Sequence, residues 1–328
     1  MTVPRALPAE ARAVVRGDRR ALAQLITRIE SRDPTVGPIL RALHPRTGRA
    51  TVVGLTGPLG VGKSSLVNVL LAHLRGLGKS VAVVAVDPSS PFTGGSVLGD
   101  RIRLERDPGD AGVFIRSMAS RGRAGGIAAA TREVVRLLDA AHYDVVLVET
   151  VGSGQVDIEI RDVASTSVVV LVPHLGDEVQ TLKAGLFEIA DVFCVNKADL
   201  PGADSAAKDL SELASLGAAR DGWRPVVVSA SARDKTGVPE LWTAIEAHEA
   251  FLDAEPGRRA DADRRRVANE LVELVRDRVA REAAERLHGD PTHGKLLDEV
   301  VARRLDPRSA ADQIYARTPG RSAGKRRR

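Results

Sequence analysis

The stretch Gly57-Pro58-Leu59-Gly60-Val61-Gly62-Lys63-Ser64 constrains this chain more than any other. It follows the apolar run Thr51–Thr56 and precedes Leu66, Val69, Leu70 and Leu74 at helical spacing. A G-x-x-x-x-G-K-S pattern between a strand and a helix needs a backbone that curls around a polyphosphate. The glycines let successive N–H groups point inward, and the helix N-terminus adds positive potential. Lys63 is placed to bridge the terminal phosphates and the Ser64 hydroxyl to bind Mg²⁺, with Ser65 next in the loop.

The pattern around the loop specifies the fold class. Apolar runs at Thr51–Thr56, Val81–Val86, Val113–Ile115, Val145–Val148, Val168–Val172, Val192–Val195 and Val226–Val228 alternate with helical stretches. Strand and helix alternating in this way predict an α/β protein with a mostly parallel sheet covered by helices. Aromatic residues are only 3% of the chain, so the core must rest on Val, Leu, Ile and Ala, as buried parallel strands do. The spacing divides the chain into an N-terminal helical extension (1–49), a phosphate-binding domain (50–253), a C-terminal helical region (254–316) and a basic tail (317–328). In the first, Leu22, Leu25, Ile26 and Ile29 form one helical stripe, Asp33-Pro34 interrupts it, and Pro38 can open the next helix. In the third, Val267, Leu271, Leu274, Val275 and Val279 form another stripe. That stripe either docks on the parent domain or pairs two subunits.

Further chemistry sits where predicted strands end. Asn196-Lys197-Ala198-Asp199 follows Val192–Val195. A carboxylate accepts two hydrogen bonds from the N1–H and 2-amino group of guanine, which adenine cannot supply. Asp199 takes that role, Asn196 braces the loop and the Lys197 stem covers the base. Ser229-Ala230-Ser231 supplies a facing loop whose backbone reaches the guanine oxygen. Asp87 and Glu149 end two other strands and face the same crevice, as candidates for Mg²⁺. Gly152, in Glu149-Thr150-Val151-Gly152, can donate an N–H to the terminal phosphate and release it on hydrolysis. These features together read as GTP binding and hydrolysis with Mg²⁺. No Gln or His directly follows Gly152 to orient water, so basal turnover is expected to be slow. Lys63 is expected to be exposed in the empty loop.

The net charge of +5 does not signal nucleic acid. Six of the 48 basic residues lie from Ala316 onward, and without them 42 basic residues face 43 acidic ones. The few aromatics offer no platform for stacking bases. A single cysteine, Cys194, lies inside an apolar run and reads as a buried thiol. No stretch is apolar and long enough for a membrane span or a signal peptide, so a cytoplasmic location is expected.

Taken in order, these motifs resemble the MeaB/ArgK family of GTPases, within the SIMIBI type of P-loop proteins. The resemblance covers roughly Arg12 to Tyr315 and is carried by Asp87-Pro88-Ser89-Ser90, Gly94-Gly95-Ser96-Val97-Leu98-Gly99-Asp100, Glu149-Thr150-Val151-Gly152, Gly176-Asp177-Glu178 and Asn196-Lys197-Ala198-Asp199. It implies an escort for an adenosylcobalamin-dependent acyl-CoA mutase, gating cofactor delivery by an adenosyltransferase and protecting or reactivating the mutase. It further implies a homodimer, Mg²⁺ contacts from Ser64, Asp87, Asp100 and Glu149, and a segment containing Lys183 that communicates with the mutase. Leu59 stands where the family usually has proline. Two other classes compete: a nickel or cobalt metallochaperone GTPase, which needs a ligand cluster, and a transport-system kinase, which needs an acceptor site and a base. Seven scattered histidines and one cysteine form no such cluster in the sequence.

Overall fold

The structure is a computed structural model and describes residues 7–87, 109–119, 129–150, 158–173, 187–216, 219–289 and 291–316. Its centre is a sheet of seven strands: β1 (Thr51–Thr56), β2 (Val81–Asp87), β3 (Val113–Ala119), β4 (Val145–Thr150), β5 (Thr166–Leu171), β6 (Val192–Val195) and β7 (Val226–Ser229). The order is β3-β2-β4-β1-β5-β6-β7, and each neighbouring pair of these strands is parallel. Each apolar run in the sequence is one strand. The runs of β4, β5 and β6 are unbroken because both faces of the sheet are buried there.

Alternation within the strands shows how the two faces are filled. Val81 and Val83 of β2, with Val145 and Leu147 of β4, point to one face. There they meet Leu66, Leu70 and Leu74 of α4 (Lys63–Gly76), and Leu241 and Ile245 of α7 (Val238–Ala254). Ala82, Val84, Val146 and Val148 point to the other face and pack with α5 (Ala129–Ala140). The N-terminal helices α1 (Ala9–Val15), α2 (Arg19–Glu30) and α3 (Gly37–Leu43) join this second core through Leu22, Leu25, Ile26 and Ile29. Each such buried side chain contributes roughly 1.5–3 kcal/mol. Asp18 caps α2 by accepting from the N–H groups of Arg20 and Ala21, and the chain breaks at Pro34 as its sequence predicts. Buried Asp139 of α5 then holds the turn into β1, accepting N–H bonds from Gly48, Arg49 (3.2 Å) and Ala50 (3.0 Å).

The chain divides into two compact units, residues 1–263 and 264–328. The first holds the sheet, its helices including α6 (Ala203–Leu216), and the first turn of α8 (Arg258–Gly289). The second holds the rest of α8, then α9 (Pro291–Val301) and α10 (Pro307–Ala316). No helix among the described residues is long and apolar enough to cross a membrane.

Candidate nucleotide site

Strand β1 sits between β4 and β5, where the order of the sheet reverses direction. In open parallel sheets this reversal leaves a crevice beyond the carboxyl ends of the strands. The segment Gly57–Gly62 leaves β1 at that point and runs into α4. Two glycines are demanded by space as well as by backbone angle. A Cβ on Gly57 (φ +147°) would lie 2.2 Å from the Val170 carbonyl oxygen, and one on Gly62 (φ +88°) would lie 2.6 Å from Asn196 Nδ2. The phosphate loop is thus pressed directly against β5 and the Asn196 loop. Leu59, at the tip, is largely exposed.

Lys63 corrects one expectation. Its side chain is only 6% exposed, and Nζ donates to the Gly57 (2.7 Å) and Pro58 (2.9 Å) carbonyls. The sequence suggests a lysine reaching into solvent when the loop holds nothing. Instead the loop's own carbonyls receive the ammonium, because a charge near the base of a curled loop needs acceptors once shielded from water. The cation is therefore already inside the loop, at the foot of the space that the glycines enclose.

Ser64 and Glu149 are brought together across neighbouring strands. Leu55 pairs with Glu149 in the β1–β4 register, and Ser64 Oγ donates to Glu149 Oε1 at 2.5 Å. Glu149 is buried, and next to it the Thr150 hydroxyl donates to Thr56 Oγ1 at 3.2 Å. A hydroxyl and a carboxylate converging beside a phosphate loop form the hard-oxygen donor set that Mg²⁺ takes. Asp87 closes β2, opposite Ala119 in register; its side chain lies outside what is described. Asp100, Gly152 and Lys183 also lie outside the described residues.

The second half of the site follows β6. Asn196 bridges two loops: Nδ2 donates to the Val61 carbonyl (2.7 Å), and Oδ1 accepts from the Ala232 N–H (3.2 Å). Lys197, at φ +59°, lays its stem toward the phosphate loop and donates from Nζ to the Gly60 carbonyl (2.9 Å). Asp199 Oδ1 accepts from Ser231 Oγ (2.9 Å), and Oδ2 lies 3.7 Å from the exposed Arg233 guanidinium. Of the three residues Ser229, Ala230 and Ser231, Ser231 reaches Asp199. Ser229 ends β7, while the buried Ala230 exchanges backbone bonds with Val195 and Ala198. The residues that sequence reasoning missed are Ala232 and Arg233. The Ser-Ala pair occurs twice in succession, and the strand's end at Ser229 makes the second pair the one facing Asn196 and Asp199. Cys194, in mid-strand, is fully buried, and burial pushes its thiol up to about 12, outside any reactive range.

Known proteins resemble this chain in sequence and in fold. A family model described as methylmalonyl Co-A mutase-associated GTPase MeaB matches residues 22–288. A protein of Pyrococcus horikoshii described as a GTPase is 44% identical over 309 residues, spanning 93% of this chain and 96% of its own. The mitochondrial methylmalonic aciduria type A homolog of Caenorhabditis elegans is 33% identical over 326 residues, spanning 92% and 80% respectively. A crystal structure described as a LAO/AO transport system kinase superposes with a TM-score of 0.68 at 29% identity, over 96% of this chain and 98% of that one.

Proposed function

This chain belongs to the MeaB family of P-loop GTPases, and from that premise we propose that it spends GTP to assist a cobalamin-dependent acyl-CoA mutase. In this reading it gates adenosylcobalamin loading from an adenosyltransferase and protects or reactivates the mutase. The family description and the C. elegans relative's name support the partner. The observation that carries the nucleotide assignment is Asn196, which ties the phosphate loop to the loop around Asp199 through one side chain. Phosphate and guanine are thereby read by a single braced surface. A cytoplasmic location belongs to the same proposal.

The residues divide the work by their chemistry. Gly57, Pro58, Leu59, Gly60, Val61 and Gly62 wrap the phosphates with backbone N–H groups, and Ser65 follows in the first turn of α4. Lys63 exchanges its loop carbonyls for phosphate oxygens. Asp199 reads the guanine edge, held in place by Ser231, and the Lys197 stem lies along the base. Ser64 and Glu149 hold Mg²⁺, with Asp87 and Asp100 as further carboxylates. A Mg²⁺ ion held by these residues would neutralise charge on the phosphate oxygens. Gly152 and Lys183 lie in the segments that respond to the terminal phosphate and to the partner.

A homodimer through the C-terminal helices completes the proposal. On α8, Val267, Leu271, Leu274 and Val275 recur at helical spacing, and Leu271 (57%) and Val275 (62%) are exposed in the single chain. A contiguous apolar stripe on a soluble helix marks a surface for association. Replacing both Leu271 and Leu274 by glutamate is expected to give monomers that bind GTP normally, measured by sedimentation at micromolar concentration. A wild-type protein already monomeric there contradicts the dimer.

The partner is tested by passing purified candidate mutases over the immobilised protein, without nucleotide and with GTP. The expected result is a complex whose stability depends on the nucleotide. Capture of a nickel or cobalt enzyme precursor, or transfer of phosphate to a transport component, replaces this proposal with the corresponding rival.

A further inference from the structure

The Asp199 carboxylate meets two donors of different kinds. Ser231 Oγ donates to Oδ1 at 2.9 Å, and the Arg233 guanidinium lies 3.7 Å from Oδ2. Ser231 belongs to the frame of its loop. It is buried, its hydroxyl also lies 3.1 Å from Asp234 Oδ2, and it accepts the Asp234 N–H at 3.1 Å. Arg233 is held far less firmly. Its side chain is 82% exposed, and among the described residues Asp199 is the one carboxylate in ion-pair contact with it.

The backbone on either side of Arg233 is pinned while its side chain is not. The Ala232 N–H donates to Asn196 Oδ1 (3.2 Å), and the Asp234 N–H donates to Ser231 Oγ. Ser231 and Thr236 exchange backbone bonds of 3.0 and 3.1 Å, which close the loop on itself. The guanidinium can therefore swing away without the loop opening. Lys197, the cation of the facing loop, is committed elsewhere, since its Nζ donates to the Gly60 carbonyl (2.9 Å).

Arginine and guanine offer a carboxylate the same chemistry. The N1–H and 2-amino group of guanine are joined through one carbon, as the nitrogens of a guanidine are. An arginine side chain presents the same planar fork of N–H donors. Access puts the two in competition. The Asp199 side chain is only 17% exposed, so a base edge and a guanidinium reach Oδ2 through the same small opening.

We propose that Arg233 is a stand-in for guanine: its guanidinium holds Asp199 Oδ2 until a guanine edge displaces it. The proposal deepens, and rests on, the reading of Asp199 as the guanine-binding carboxylate. Adenine supplies no such pair of donors and leaves Arg233 in place, so the exchange adds to the selectivity of the site. The pair is exposed on the arginine side and therefore weak, so removing the guanidinium should tighten guanine binding only about two- to fivefold. Loss of a cation by itself weakens the binding of an anion. The sign of the change thus separates displacement from general attraction.

The test is competition against a fluorescent GDP analogue, on the full chain and on Arg233→Ala, with guanosine and with inorganic pyrophosphate. Guanosine carries the base edge without charge, and pyrophosphate carries charge without a base. In Arg233→Ala the inhibition constant of guanosine is expected to fall about two- to fivefold. That of pyrophosphate is expected to stay the same or rise. If guanosine competes too weakly to measure, the ratio of the GDP constant to the pyrophosphate constant reads the same change. A guanosine constant that is unchanged or raised, or a pyrophosphate constant lowered by the same factor, overturns the proposal and leaves the role of Asp199 standing. Adenosine competing as well as guanosine on the unaltered chain ends the guanine assignment, and the proposal with it.

Discussion

Lys63→Ala is expected to lower GTP hydrolysis by about 10²–10³-fold, the scale for losing one preorganised donor at developing phosphate charge. The loss should appear in kcat and not only in KM, because charge on the terminal phosphoryl group grows toward the transition state. The geometry adds a consequence that an exposed lysine would not have. Nζ is held at 2.7 and 2.9 Å by the Gly57 and Pro58 carbonyls and is nearly inaccessible to solvent. Removing it leaves two inward carbonyls without their charged donor, so the nucleotide-free protein should lose about 1–2 kcal/mol. Steady-state hydrolysis and thermal unfolding of the same sample measure both effects. Turnover at the wild-type rate removes Lys63 from the site; lost turnover with unchanged stability contradicts its holding role in the empty loop.

Asp199→Asn should convert a guanine site into a xanthine site. The carboxylate accepts from both N1–H and the 2-amino group of guanine; an amide accepts once and donates once, matching xanthine's N1–H and 2-oxo group. Two charge-assisted bonds at about 1.5–2 kcal/mol each correspond to roughly 10²–10³-fold in affinity. Ser231 still donates to the remaining oxygen, and Asn196 still braces the loop, so the variant should fold normally. Titration with fluorescent GTP and XTP analogues reads the switch. Equal binding of GTP and ATP by the unaltered protein ends the guanine assignment.

What could be read before the fold was known follows from the range of each interaction. The seven strands were legible because each, four to seven residues long, contains an apolar run, and parallel strands buried on both faces, as β4, β5 and β6 are, need no partner to be recognised. The stripe of α2 was legible for the same local reason. Ser64 and Glu149 could be placed on one crevice because Ser64 lies in the loop-helix turn after β1 and Glu149 at the carboxyl end of β4, although 85 residues separate them. The buried Lys63 ammonium was not legible, since its acceptors are backbone carbonyls and carry no sequence signal. That Ser231, with Ala232 beyond it, faces Asp199 and Asn196 rests on where β7 stops, and strand ends are the least determined feature of a pattern. The contact between Thr166 and His248 lay furthest out of reach: the two are 82 residues apart, and neither stands in a motif.

On the function proposed here, a cobalamin-dependent acyl-CoA mutase controls this GTPase. Without a glutamine or histidine directly after Gly152, turnover should wait for a partner that acts on the segments carrying Asp100, Gly152 and Lys183. An ordered metal contact and an ordered water together are worth about 3 kcal/mol, which corresponds to about 10²-fold in rate. Lys183→Ala should keep nucleotide affinity and basal turnover while blunting that gain. The direct measurement is steady-state GTP hydrolysis with and without each acyl-CoA mutase of the source organism. One of them should raise the rate by about 10²-fold; no stimulation by any of them contradicts the account.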